Sequence, residues 1–223
     1  KIAFLTDRGL YLTVSVLECA KKKERAVRTI VTGENRAAFE SLRILSNNIS
    51  WSRDGKSLCF AAVSFGRQTV YIVGSDDGSI QERIVLPFDE LFAPVISPDG
   101  KSVAFAASIG TRTDLYRYVI ADRSIIRLTD DANVERTPCF SPDGSFIVYA
   151  ADAGEGAAES PLLKVASSGG APELLVSGGR NAHPDISSDG KTLVYVSDRT
   201  GIRNLYRFGL EDKKNERLKD VVC

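Results

Sequence analysis

The sequence contains no methionine and a single histidine, His183. One imidazole excludes a metal site built from several histidines. It also narrows any Ser-His-Asp hydrolase to a serine next to that residue, and no G-x-S-x-G elbow occurs in the chain. The four cysteines, Cys19, Cys59, Cys139 and Cys223, show no CxxC spacing, which excludes a zinc ribbon. No apolar run approaches the roughly 18 residues of a membrane-spanning helix. Charge of either sign is not in excess: Lys plus Arg and Asp plus Glu are 29 each, so the net charge is zero. A partner recognised through its phosphates would require a basic face, and nucleic acid is not expected. There is no P-loop, and Gly154-Glu-Gly156 alone is a weak phosphate cradle. No D-x-D-x-D-G calcium loop occurs, and Asp76-Asp-Gly78 reads as a β-turn. Neither a cofactor nor a metal is expected.

What the chain has is a repeat. Trp51-Ser-Arg-Asp-Gly-Lys-Ser-Leu-Cys-Phe60, Ile96-Ser-Pro-Asp-Gly-Lys-Ser-Val-Ala-Phe105, Phe140-Ser-Pro-Asp-Gly-Ser-Phe-Ile-Val-Tyr149 and Ile186-Ser-Ser-Asp-Gly-Lys-Thr-Leu-Val-Tyr195 align without gaps. Their glycines, Gly55, Gly100, Gly144 and Gly190, stand 45, 44 and 46 residues apart. Ile2-Ala-Phe4 matches Leu58-Cys-Phe60 and opens a fifth copy. A period of about 45 residues is that of a four-stranded propeller blade. The turns explain themselves: proline presets its own φ, aspartate tolerates the next position, and glycine takes the left-handed one. Asp54, Asp99, Asp143 and Asp189, which recur with the period, are therefore turn residues. Cys59 and Cys139 fall where other repeats carry apolar residues, so both read as small buried hydrophobes.

Each repeat then divides into four strands. A short one ends in Trp51, Ile96, Phe140 or Ile186. An apolar one follows the turn, as in Val103 to Ala107. Third strands are expected at Leu10 to Val14, Val70 to Val73, Leu115 to Val119, Leu162 to Val165 and Leu205 to Phe208. Fourth strands are expected at Val27 to Val31, Arg83 to Leu86, Ile125 to Leu128, Glu173 to Val176 and Glu216 to Leu218. One blade cannot cover its own apolar faces, whereas stacked blades bury both. The fold expected is all-β: a propeller of about five four-stranded blades, one domain over 1–223, with repeats beginning near 1, 50, 95, 139 and 185. Asn35 to Leu45 is the one stretch with helical character. Both ends fall inside a repeat, so the expectation is a piece of a longer protein whose propeller has further blades.

These repeats resemble the WD40-like propeller repeats of the TolB family. The resemblance rests on Ser187-Ser-Asp-Gly190, Leu193-Val-Tyr195, Ser197-Asp-Arg-Thr-Gly201, Asn204-Leu-Tyr206 and Arg217-Leu-Lys219. It is repeated in Ser97-Pro-Asp-Gly100, Val103-Ala-Phe105, Asp114-Leu-Tyr116 and Arg127-Leu-Thr129. The chain departs from the pattern at Arg53, where proline is usual, at Leu162-Leu163, where Leu-Tyr is usual, and in the basic segment Lys21 to Arg25. The resemblance implies a non-catalytic module, periplasmic or extracellular, that binds a protein or peptide. Two alternatives are the substrate-gating propeller of a prolyl-oligopeptidase-like serine peptidase, and a carbohydrate-active propeller.

Propeller ligands meet the end of the central channel, where two sets of loops converge. Those entering the innermost strands hold Asp89, Glu90, Asp130, Asp131, Glu135, Arg136, Arg180 and His183. Those between the second and third strands hold Asp7, Arg8, Arg67, Arg112, Asp198, Arg199 and Arg203. The binding candidates are His183, Asp185, Arg180, Glu135, Arg136, Arg112, Arg199 and Arg203. His183 and Asp185, either side of Pro184, are the sharpest.

Overall fold

A computed structural model describes residues 1–6, 13–19, 27–32, 49–153 and 157–218. Every regular element among them is a β-strand. The helical stretch expected at 35–45, the basic segment at 21–25 and the glycine-rich loop at 154–156 lie outside the described residues, as do Asp7 and Arg8. The chain divides into two compact units, Lys1–Pro94 and Val95–Cys223.

In the first unit, β1 (Ile2–Thr6), β2 (Thr13–Leu17) and β3 (Val27–Thr32) form a three-stranded sheet in that order. Of the third strand expected at Leu10 to Val14, residues 10–12 lie outside the described residues, and the strand described runs from Thr13 to Leu17, pairing Ile2 with Leu17 and Thr6 with Thr13. Next, β4 (Ser50–Trp51), β5 (Ser57–Ser64), β6 (Arg67–Gly74) and β7 (Ile80–Val85) form an antiparallel meander. The division between units falls within β8 (Glu90–Ile96).

The second unit continues with β9 (Ser102–Ile109), β10 (Arg112–Val119) and β11 (Ile125–Arg127). Two full meanders complete it. The first is β12 (Val134–Phe140), β13 (Phe146–Asp152), β14 (Leu162–Ala166) and β15 (Glu173–Val176). The second is β16 (Asn181–Ile186), β17 (Thr192–Ser197), β18 (Asn204–Gly209) and β19 (Asn215–Arg217). This is the all-β propeller repeat.

Packing follows the two-residue alternation of a strand. In β13, Ile147, Tyr149 and Ala151 join Ala104, Leu115 and Leu128 of the preceding repeat in one core. The intervening Val148 and Ala150 join Leu193, Tyr195, Tyr206 and Phe208 of the following repeat in another. The first unit has the same arrangement, with Leu58, Phe60 and Ala62 of β5 packed on Val14, Val16, Ile30 and Val31. Burying one such Val, Leu or Phe side chain is worth roughly 1.5–3 kcal/mol. The second strand of each repeat is therefore apolar at consecutive positions, and Cys59 and Cys139 are buried within these strands and their neighbours.

Cross-strand ring pairs reinforce three of the repeats. Phe60 stacks on Tyr71 at 5.9 Å, Phe105 on Tyr116 at 6.1 Å and Tyr195 on Tyr206 at 5.7 Å. In the fourth repeat Tyr149 faces Leu163 instead, so its ring has no such partner across the ladder.

All four hairpin turns close by one network. At Ser97 the hydroxyl donates to Asp99 Oδ1 at 2.6 Å, and that oxygen also accepts the Lys101 N–H at 3.0 Å. The Ser102 N–H donates back to Ser97 Oγ at 3.0 Å. Equivalent bonds tie Ser52 to Asp54, Ser141 to Asp143 and Ser187 to Asp189. Gly144 completes its turn at φ 73°, a left-handed conformation that glycine adopts without a Cβ clash. The hydroxyl and amide bonds stabilise the carboxylates. The Ser141 hydroxyl and the Ser145 amide hold Asp143 down to about 2, and Asp54, Asp99 and Asp189 are lowered by the same donors.

Candidate functional site

Proline shapes the innermost strands. Pro94, Pro138 and Pro184 each lie six residues before the turn glycine of their repeat. Each follows a residue with positive φ: Ala93 at 46°, Thr137 at 46° and His183 at 52°. The pairing of β12 with β13 shifts register between Arg136 and Cys139, and that of β16 with β17 between Ala182 and Asp185. Such shifts mark β-bulges, which re-aim side chains. Beyond the single parallel pairing of Val134 with Thr113, β12 has no ladder partner among the described residues on the edge away from β13, and a strand can take proline where an edge is free of ladder bonds. Non-glycine residues at positive φ cost of order 1–3 kcal/mol each and persist where the surroundings enforce them. Here the flanking Pro138, Cys139 and Pro184 are buried.

The bulges bring polar groups of neighbouring repeats together. The His183 N–H donates to Thr137 Oγ1 at 3.2 Å. His183 and Asp185 are exposed, and the protein packed around Asp185 pushes its carboxyl up while it accepts the Ile186 N–H at 3.0 Å. Arg136 is exposed and its Nε donates to Asp152 at 2.8 Å. His183, Asp185, Arg136 and Thr137 thus share one strip on β12 and β16. The sequence carried a signal for this bulge, the recurrent Xaa-Pro ahead of the turn, which the reading by turns alone passed over.

The other candidates are placed differently. Arg180 is exposed, and its backbone N–H donates to Asp198 Oδ1 at 2.7 Å. Arg112 donates to Asp130 Oδ1 at 2.6 Å and to the Asp131 carbonyl at 3.1 Å. Arg203 is exposed at the β17–β18 hairpin, beside exposed Ile202. Arg199 is turned inward. Its guanidinium lies over Tyr195 and Tyr206 at 5.5 and 5.0 Å and donates to Asn181 Oδ1 at 3.2 Å.

Glu135 requires a correction. It does not sit in a loop at a channel mouth but within β12, paired with Ala151, and is 1% exposed. The innermost strand begins earlier than the short segment ahead of the turn suggested, and strand alternation directs position 135 inward. Neither carboxylate oxygen has a hydrogen-bond partner. Burial pushes this carboxyl up to about 8 and the charges of Asp131 and Asp114 act the same way, while its own backbone N–H and the nearby Thr129 hydroxyl act against them.

A cleft of about 460 Å³ opens elsewhere in the second unit, lined by Arg127, Thr129, Asp130, Asp131, Gly170 and Pro172. Its one lining arginine is already engaged: Arg127 bridges Asp114 at 2.6 Å and Asp130 at 2.8 Å. Among the described residues, no group of three or more His, Cys, Asp or Glu side chains is arranged to hold a metal ion. Nor is any helix among them long and apolar enough to cross a membrane.

Comparison with known proteins adds a family to this geometry. The family model of the TolB beta propeller domain matches residues 32–222. A Tol-Pal system protein TolB from Francisella tularensis subsp. tularensis is 30% identical over 166 residues, covering 72% of this chain and 38% of that protein. The chain thus spans well under half of the length of that relative. Among solved structures, TolB from Acinetobacter baumannii superposes with a TM-score of 0.71 at 22% identity, covering 93% of this chain and 48% of the other. A putative TolB from Agrobacterium tumefaciens gives 0.74 at 20% identity, covering 93% and 76%.

Proposed function

We propose, from the premise that this chain belongs to the TolB β-propeller domain family, that it is a non-catalytic module binding a protein or peptide along β12 and β16. One observation carries the reading. Arg136, His183 and Asp185 are exposed on bulged strands anchored by the buried Glu135, Pro138 and Pro184, so polar contacts are presented by backbone held in place from beneath. A preformed surface of this kind binds with little ordering cost. The exposed pair Ile202 and Arg203 adds an apolar and a cationic contact of the sort that protein interfaces favour.

The relative's name, a Tol-Pal system protein, supports a partner from that system, and a periplasmic setting is what the resemblance to the TolB family implies. The test is calorimetric titration of the purified chain with the soluble domain of Pal from the same organism. Binding is expected, and the double variant Arg136→Ala, His183→Ala should weaken it by about tenfold or more, close to 1.4 kcal/mol. Its thermal unfolding midpoint should stay near that of the parent. Absent binding, or binding indifferent to both substitutions, would overturn the assignment.

A further inference from the structure

The seam between the third and fourth repeats holds polar atoms that the strip on β12 and β16 does not use. Both oxygens of Glu135, the hydroxyl of Tyr149 and Oδ1 of Asp114 are buried without a hydrogen-bond partner. Their residues are 1%, 0% and 2% exposed. Native proteins leave few such groups unpaired, and a cluster of them asks for an explanation. The equivalent positions show what the fold alone requires. Where the fourth repeat has Glu135, the third has Leu91, an apolar residue 1% exposed. The fifth has Asn181, whose Nδ2 donates to the Ser160 carbonyl at 2.8 Å and whose Oδ1 accepts from Arg199. Packing is thus satisfied by leucine, and polarity is satisfied by an amide with partners. Of these three described positions, only that of the fourth repeat holds a buried acid, and neither of its oxygens has a hydrogen-bond partner.

We propose that Glu135 is a proton-binding site in this seam, neutral when β12 is closed against its neighbours, and that loss of its proton to solvent loosens β12 and so the segment carrying Arg136 and Thr137. The strands packed on β12 are β9, β10, β13 and β16. From β10 the facing titratable group is Asp114, whose other oxygen is held by Arg127, and from β13 it is Tyr149. Asp131 faces it from the loop before β12. β9 carries no titratable side chain, and the titratable groups of β16, His183 and Asp185, are exposed. No cation is therefore supplied to a Glu135 anion from any of these strands, whereas both neighbouring acids oppose it. An unpaired buried carboxylate is costly, and the neutral acid is the form that fits.

The sign follows. A carboxyl whose folded-state value is raised makes the folded state bind the extra proton, so stability is full below the ordinary carboxylate range and declines until pH reaches the folded value, about 8. The experiment is amide hydrogen exchange on the whole chain from about pH 5 to 9, converted to protection factors. Protection of β12 amides should fall by about tenfold per pH unit between roughly 5 and 8 in the parent. It should be flat in Glu135→Gln and in Glu135→Leu, the residue already used at Leu91. A flat parent profile, or an equal slope in the variants, overturns the proposal. Should neither variant fold, NMR of the parent's Glu135 carboxyl carbon decides: titration near 8 supports it, and titration in the ordinary carboxylate range overturns it. The coupling to Arg136 and Thr137 rests on the binding reading above. Because the exchange measurement needs no partner, its failure is separable from a failure to bind Pal.

Discussion

At Gly78 the side chain is a single hydrogen for a reason that no turn motif announces. The residue has φ 68° and donates its N–H to the Gly74 carbonyl at 2.9 Å, and a Cβ there would collide with the Ile30 carbonyl of β3. The turn it belongs to is held against the first sheet from outside as well. Asp76 accepts from Lys1 at 2.9 Å and from Arg28 at 3.1 Å, and both cations hold its carboxyl below the ordinary range. Gly78→Ala should therefore destabilise the chain by more than a surface substitution, by about 1–3 kcal/mol, because strain and collision act together. Thermal unfolding checks this, and a midpoint equal to that of the parent would show that the turn yields at little cost. The Asp76-Asp-Gly78 turn was legible in the sequence; its contact with β3 was not, since Ile30 lies in a different repeat.

Elements repeat more faithfully than single residues do. The Ser97 turn shows why: its bonds all close within six residues, from Ser97 to Ser102, so the pattern specifies them without help from the rest of the fold. Ser97 is the hub, 4% exposed, giving one bond and receiving another. Ser97→Ala leaves the buried Ser102 amide with an acceptor fewer and should cost about 1–3 kcal/mol. In urea this appears as a lower midpoint with an unchanged slope. An unchanged midpoint would mean that the backbone bond between Ser97 and Ser102 suffices. The Xaa-Pro bulge is equally periodic, at Pro94, Pro138 and Pro184, yet its consequence was not readable. Proline announces that a strand is irregular, but which side chain the bulge turns outward depends on the register with the next strand.

Across the molecule, the described cores lie between successive repeats, not within one, and the four turns stand outside them as exposed carboxylates. This separates two responses to pH. Asp54, Asp99, Asp143 and Asp189 have lowered folded values, so their contribution is present above the ordinary carboxylate range and is lost as pH falls, for Asp143 toward about 2. The thermal midpoint should accordingly drop between about pH 4 and pH 2, and Asp143→Asn should show a shallower drop than the parent. Identical acid profiles for the two would assign acid sensitivity to other groups. Glu135 acts at the opposite end of the scale, because its environment lacks the donors that the turn aspartates have.

The sequence by itself determined the period, the turns, most strand positions and the apolar second strands, because each depends on bonds or alternation within a few residues. Tertiary structure alone decided that Glu135 is buried, that Arg199 lies over two tyrosines while Arg203 is exposed, and that His183 meets Thr137. Those outcomes are set by side chains that the chain brings in from another strand or the next repeat, and charge or burial there depends on what arrives, which no local pattern records.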